Sequence, residues 1–151
     1  MRKRVIFALC LVIAAVALAA YAQMVNRPYH PGSVWNLTFV RIKPGMDNAY
    51  LGYLTTNWKR EQDTAKQEGL ILSYKVLGTE SHGSNDWNLL LMVEYKDLAT
   101  MEANEPKADA LGQRLFGTDQ QQQQGYRERA DIREIVGDRV AREVILSPRT
   151  Q

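Results

Sequence analysis

Nine residues at positions 87–95 (WNLLLMVEY) are apolar almost without interruption, and they limit what the rest of the chain can build. A run of this length, with turn residues ahead of it, reads as a strand. Its apolar side chains fall on both alternations, so both faces of the strand need cover. Such a strand sits inside a sheet, with strands beside it and apolar layers above and below.

The rest of the chain supplies those neighbours. Residues 34–43 alternate: Trp35, Leu37 and Phe39 face one way, and Asn36, Thr38, Val40 and Ile42 the other. That period of two predicts a second strand, stopped by Lys43-Pro44-Gly45. Asp47 is the expected cap of a helix reaching about Glu68. Its apolar stripe is Tyr50, Leu51, Leu54, Trp58 and Ala65, its wet faces carry Lys59, Arg60, Glu61, Asp63 and Lys66, and Gly69 closes it. Residues 70–79 read as a strand with Leu70, Leu72, Tyr74 and Val76 on one side, and 80–85 as a turn. Asp97 is placed to cap a helix over 98–116, with a fault expected near Pro106. The five glutamines at 120–124 are expected to form an exposed helical stretch, glutamine being a good helix former. Residues 139–146 alternate again as a last strand.

The order is β-α-β-β-α-β, which predicts an α+β, ferredoxin-like split βαβ domain. It has a four-stranded antiparallel sheet, with helices on one face. The tripeptide WNL opens both the first strand and the 87–95 strand. The expectation is that these two strands lie side by side and parallel at the centre of the sheet. Trp35 and Trp87 would then share one layer, with Asn36 and Asn88 near each other on the opposite one.

The beginning of the chain reads differently. Arg2, Lys3 and Arg4 precede an apolar run over 5–20, followed by Ala20-Tyr21-Ala22. This is the layout of a secretory signal peptide, with cleavage expected before Gln23. The alternative is an uncleaved membrane anchor. The expected organisation is a signal peptide over 1–22, a linker over 23–32, the ferredoxin-like domain over 33–146 and a tail over 147–151. The expected location is periplasmic or extracellular, with membrane contact only through the signal segment before cleavage.

Cys10, the one cysteine, lies in that segment, so the remainder has no thiol and no disulfide. The 129 residues from Gln23 onward carry 16 basic and 17 acidic side chains, a balance that gives no support for nucleic-acid binding. His30 and His82 stand apart from any metal-ligand spacing, and neither a nucleophile elbow nor a glycine-rich phosphate loop is present. No metal and no cofactor is called for.

The stretches VWNLTFVRIKPGMD (34–47), WNLLLMVEYKDLATME (87–102) and REVIL (142–146) resemble the dimeric α/β barrels. That superfamily includes stress-responsive barrel domains, antibiotic-biosynthesis-type monooxygenases, haem-degrading monooxygenases and NIPSNAP-like proteins. The resemblance covers most of 33–146 and rests on layout. It implies a homodimer that pairs two sheets, and a pocket in each subunit between sheet and helices. An apolar sheet with helices for one face only agrees with a second copy as partner. In the haem-degrading members an Asn on the first strand acts with a Trp on the third and a His on the second helix. Asn36 matches the first, but Glu94-Tyr95 stands where the Trp falls and no histidine lies in 98–116, so haem degradation is not implied.

What remains is a cofactor-free pocket for a small apolar or aromatic molecule. The candidate lining residues are Asn36, Thr38, Tyr50, Trp58, Tyr74 and Glu94. Each has a plainer reading: a buried Asn also serves by bonding to a loop, and an aromatic helical stripe commonly packs a core. Arg41 beside Glu94, or Arg142 beside Glu143, are candidate interfacial pairs. The leading reading is an exported small-molecule-binding domain. The alternatives are a cofactor-independent monooxygenase or isomerase acting on an aromatic or quinone-like substrate, and a structural or interaction module.

Overall fold

The structure, a computed structural model, describes residues 12–16, 28–80, 83 and 86–147. The expected cleavage site and His82 lie outside the described residues. Among the described residues no helix is long and apolar enough to cross a membrane.

The elements in order are β1 (Tyr29–Ile42), α1 (Asp47–Tyr53), a π-helical turn (Leu54–Trp58), α2 (Lys59–Gln67), β2 (Ser73–Gly78), β3 (Leu89–Tyr95), α3 (Leu98–Phe116), α4 (Asp119–Arg129) and β4 (Arg133–Leu146). They divide into two compact units. One, Gly32–Glu143, holds every helix just named and most of the sheet. The other joins Met1–Pro31 with Val144–Gln151. In it residues 12–16 are helical, and the Ser147 amide donates to the Pro28 carbonyl at 2.9 Å.

Strand β1 starts at Tyr29, inside the expected linker, and β4 starts at Arg133, six residues before its alternation becomes visible. Strand β2 is shorter than expected because Leu70 and Ile71 are buried in the connection, leaving Leu72 exposed.

The sheet order is β2-β3-β1-β4. Strand β3 pairs antiparallel with both neighbours, Val40 opposite Leu89 and Trp35 opposite Glu94 on β1, and Ser73 opposite Glu94 on β2. The expected parallel pairing of the two WNL strands is therefore wrong. The crossover through α1 and α2 makes β1 and β2 parallel, and the β2–β3 reversal then forces β3 to run against β1. The two WNL copies consequently sit at opposite ends of the β1–β3 pair. Trp35 faces Glu94, whereas Trp87 packs edge-on against Phe39 with ring centroids 5.2 Å apart. Asn88 is likewise far in register from Asn36: its side-chain oxygen accepts from the Ile42 amide at 2.9 Å.

The alternation along β1 matches its burial. Val34, Val40 and Ile42 are buried toward the helices, while Trp35, Leu37 and Phe39 lie on the other face and are only half-buried. Directly opposed residues share a face, so Leu90 and Met92 of β3 and Leu77 of β2 join Leu37 and Phe39 there. Arg41 on this face pairs with Glu134 rather than Glu94, which places Val136 on the same side; further along β4, Asp138 meets Thr38 on the helix-facing side. Among the described residues of Gly32–Glu143, no helix covers this apolar face.

Helix α1 begins with Met46 at the N-cap position and no side-chain cap; Asp47 is its first residue, where its charge favours the positive end of the helix. Residues 47–67 run on as one rod, but Leu54–Trp58 widens into a π-turn. Thr55 and Thr56 lie within that widening, their hydroxyls donating to the carbonyls of Leu51 and Gly52 at 2.9 Å. Gly69 ends the rod with φ +71°, where a Cβ would be strained. Helix α3 is capped by Asp97, which accepts from the Thr100 amide at 2.7 Å, and it continues through Pro106 without a break. The glutamine run lies in α4, started by a capping box between Thr118 and Gln121.

The core is divided. One cluster gathers Val40, Ile42, Tyr50, Leu54, Leu89 and Leu91; the other gathers Ala65, Leu70, Ile71 and Leu111. The space between them is not filled by side chains.

Candidate functional site

A cavity of about 450 Å³ occupies that gap. Its floor is the helix-facing side of the sheet, Asn36 and Thr38 from β1 with Leu91, Val93 and Tyr95 from β3. One wall comes from the rod: Trp58, where the π-turn ends, then Glu61, Gln62 and Ala65. The opposite wall is α3, with Met101, Asn104, Ala108 and Leu111, and with Glu102 and Glu105 at its exposed rim. A π-turn inserts one extra residue into a helical turn, a device that re-aims side chains at sites. Here it sits directly before the cavity wall.

Three of the six expected lining residues meet at this cavity: Asn36, Thr38 and Trp58. The other three do not. Tyr50 is 2% exposed inside the first core cluster. Tyr74 lies behind Trp58, their rings perpendicular at 5.3 Å, and its hydroxyl donates to Asp63 at 2.5 Å. Glu94 is on the uncovered face of the sheet, where it accepts a hydrogen bond from the Ser73 hydroxyl. Parity along β3 allowed either face, and the pairing with Trp35 decides it.

Glu61, Gln62, Tyr95 and Asn104 are wall residues that the sequence reading did not single out. Glu61 had been assigned to the solvated side of its helix, but it is half-buried. Gln62 carried a signal: it stands four residues after Trp58 and three before Ala65, a polar side chain on the apolar stripe. It is only 8% exposed.

The polar groups differ in how far they are already engaged. The Thr38 hydroxyl donates to Asp138 at 2.6 Å, and the Asn104 amide donates to the Leu70 carbonyl at 3.3 Å. Among the described residues no hydrogen bond joins the side chains of Asn36, Gln62 or Tyr95 to a partner. An amide in such a place ordinarily finds a partner, so these groups are free to hold a ligand. Burial raises the Glu61 carboxyl above its ordinary range, with the Arg129 charge acting in the opposite direction. Burial and then the charge of Glu61 raise the Tyr95 phenol in turn.

A second hollow, about 550 Å³, lies on the other side of Glu61 among Tyr53, Asn57, Phe116, Gln122 and Arg129. No strand residue lines it, and its walls are mostly polar helix side chains. Among the described residues no group of three or more His, Cys, Asp or Glu side chains is placed to hold a metal ion.

No family model matches the chain, and no curated protein matches it. Solved structures do. A NIPSNAP-family protein of unknown function from Agrobacterium tumefaciens is 16% identical, with a TM-score of 0.51, covering 80% of this chain and 96% of its own. HapK from Hahella chejuensis is 11% identical, with a TM-score of 0.45 over 73% of this chain and 91% of its own. A dimeric ferredoxin-like protein from an uncultured marine organism is 16% identical, with a TM-score of 0.46 over 79% and 99%. The first of these, together with the strand order β2-β3-β1-β4 and the two helical crossovers, decides the architecture.

The fold is ferredoxin-like. In this ferredoxin-like domain the cavity lies where helices cross the sheet, and among the described residues of Gly32–Glu143 no helix lies on the opposite face. The likeness in fold expected from the sequence, to ferredoxin-like proteins such as those of the NIPSNAP kind, is the one that the Agrobacterium structure gives.

Proposed function

We propose that this ferredoxin-like domain binds a small apolar or aromatic molecule in the cavity between sheet and helices, as an exported homodimer. The observation that carries the reading is the divided core: about 450 Å³ stays open between two apolar clusters, and unpartnered amides line it. Natural interiors are packed to crystal-like density, so a cleft left open between two core clusters offers apolar surface that a bound molecule can cover. The volume is that of a small-ligand site, mostly apolar with a few placed polar groups. Trp58 and Leu111 would sandwich a planar ring, and Asn36 and Gln62 would hydrogen-bond its substituents. The test is a crystal soaked with 1-naphthylmethanol, which should occupy this cavity.

The homodimer is supported by the uncovered sheet face, where Leu37, Phe39, Leu77, Leu90 and Met92 stand together. Two copies meeting through it would close both sheets against each other.

A second reading, a cofactor-independent isomerase or monooxygenase, is favoured by one pairing. Glu61, with its carboxyl raised by burial, and Tyr95 face the same space, and the Glu61 charge helps to raise the Tyr95 phenol. A partly buried carboxylate beside a bound substrate is suited to taking a proton. Asn36 and Trp58 line that space and would orient the substrate, whereas Tyr74 stands behind Trp58.

Export is proposed from the leader-like first 22 residues. Sequencing the N-terminus of the protein recovered from cells should find Gln23 first; an intact Met1 on the whole population rejects cleavage.

A further inference from the structure

Charge is unevenly distributed around the cavity. Glu61, Glu102 and Glu105 line it, and no Lys, Arg or His does. Glu61 is half-buried on α2, whereas Glu102 and Glu105 stand on the exposed rim of α3 across the opening. Acidic residues on a surface mean little alone, but this group has an independent companion. Gln62, beside Glu61 in sequence and 8% exposed, lines the same cavity with no hydrogen-bond partner among the described residues. Its amide oxygen can accept a hydrogen bond, and so can the carboxylates. The aromatic faces of Trp58 and Tyr95 also favour positive charge.

We infer that the occupant of the cavity is an organic ammonium: a flat apolar body on Trp58, Leu91 and Leu111, with a protonated nitrogen held by Glu61 and Gln62. The inference rests on the reading of the cavity as a ligand site and adds the charge of the ligand. The carboxylates are not gathered closely enough to hold a metal ion, so the field suits a cation that spreads over a larger volume. An anion would meet three carboxylates, and the nearest opposing charge, Arg129, lies in the neighbouring hollow rather than on the cavity wall. A neutral molecule would leave Glu61 with Arg129 alone as its counter-charge.

The test is a calorimetric titration of the wild-type protein, near pH 7.5, with three probes of one shape: 1-naphthylmethylamine, 1-naphthylmethanol and 1-naphthoate. The amine should bind about tenfold more tightly than the alcohol, the gain of one charge-assisted hydrogen bond, and the carboxylate most weakly. Glu61→Gln should bring the amine down to the alcohol when both are titrated against the same variant. The doubly substituted E102Q/E105Q protein, altered only at exposed positions, should lose part of the same preference.

The preference should also shrink on acidification. Glu61 is faced by Tyr53 of α1, Tyr95 of β3, Arg129 of α4, and Glu102 and Glu105 of α3. Its carboxyl is raised by burial, so it takes up a proton at a higher pH than an exposed glutamate and stops attracting the amine there. An alcohol or carboxylate that binds as tightly as the amine overturns the inference while leaving the cavity a ligand site. An amine preference that survives Glu61→Gln intact overturns it as well. Failure of all three probes removes both readings together.

Discussion

A chain carrying Leu37→Asp should be a monomer. Leu37 stands opposite Met92 on the uncovered side of the sheet, with Phe39, Leu90 and Leu77 around it. In a two-fold dimer built on this face the substitution places two carboxylates in an apolar interface, one from each copy. Each must be desolvated and each repels the other, at a cost of several kcal/mol. The dissociation constant should rise at least about a hundredfold. Leu37 is only half-buried in the single chain, so the domain itself should keep its fold and its secondary structure. Light scattering across a range of concentrations is the measurement. A wild-type monomer at all of them, or a Leu37→Asp dimer as tight as wild type, removes this face as the interface.

The second large effect concerns the gap in the core. Ala65 is 7% exposed and lies on the cavity wall between α2 and α3. Ala65→Phe projects a ring into the open space. If that space is a cavity, the ring fills it, and the protein should melt no lower than wild type, gaining up to about 0.5–2 kcal/mol. If the clusters on either side in fact close on each other, the same ring overpacks the core and costs about 1–3 kcal/mol. The sign of the change separates the two cases. The filled protein should also lose all binding of 1-naphthylmethanol, since the ring takes the place of the ligand.

Much of the architecture was legible because it follows from periodicity and turn chemistry. The alternation of Trp35, Leu37 and Phe39 against Asn36, Thr38 and Val40 marks two faces of a strand, and its buried residues, Val34, Val40 and Ile42, all fall on the second. Gly69, with φ +71°, closes its helix where a glycine was needed. Strand direction was not legible in the WNL repeat. A tripeptide marks where strands begin, but direction is set by the connections, and the β2–β3 reversal turns the second copy around.

The site was legible in part for a related reason. An apolar stripe identifies the residues that face the interior; it does not say where that interior stays open. Tyr50 and Trp58 belong to one stripe, yet Tyr50 packs against Val40 and Leu89 while Trp58 borders the cavity. The π-turn between them leaves no clear mark in composition beyond the paired threonines Thr55 and Thr56. Glu61 looked solvated because charge usually is. The packing of α3 and α4 beside its helix brings it partly indoors.

The central claim is that the space between Trp58, Leu111 and the sheet holds a small molecule. The most direct test is the electron density of a crystal soaked in 1-naphthylmethanol. The account predicts the naphthalene ring between Trp58 and Leu111, with its hydroxyl within hydrogen-bonding distance of Asn36 or Gln62. A crystal in which Leu111 and Trp58 have closed on each other, or in which the probe settles only elsewhere, contradicts it.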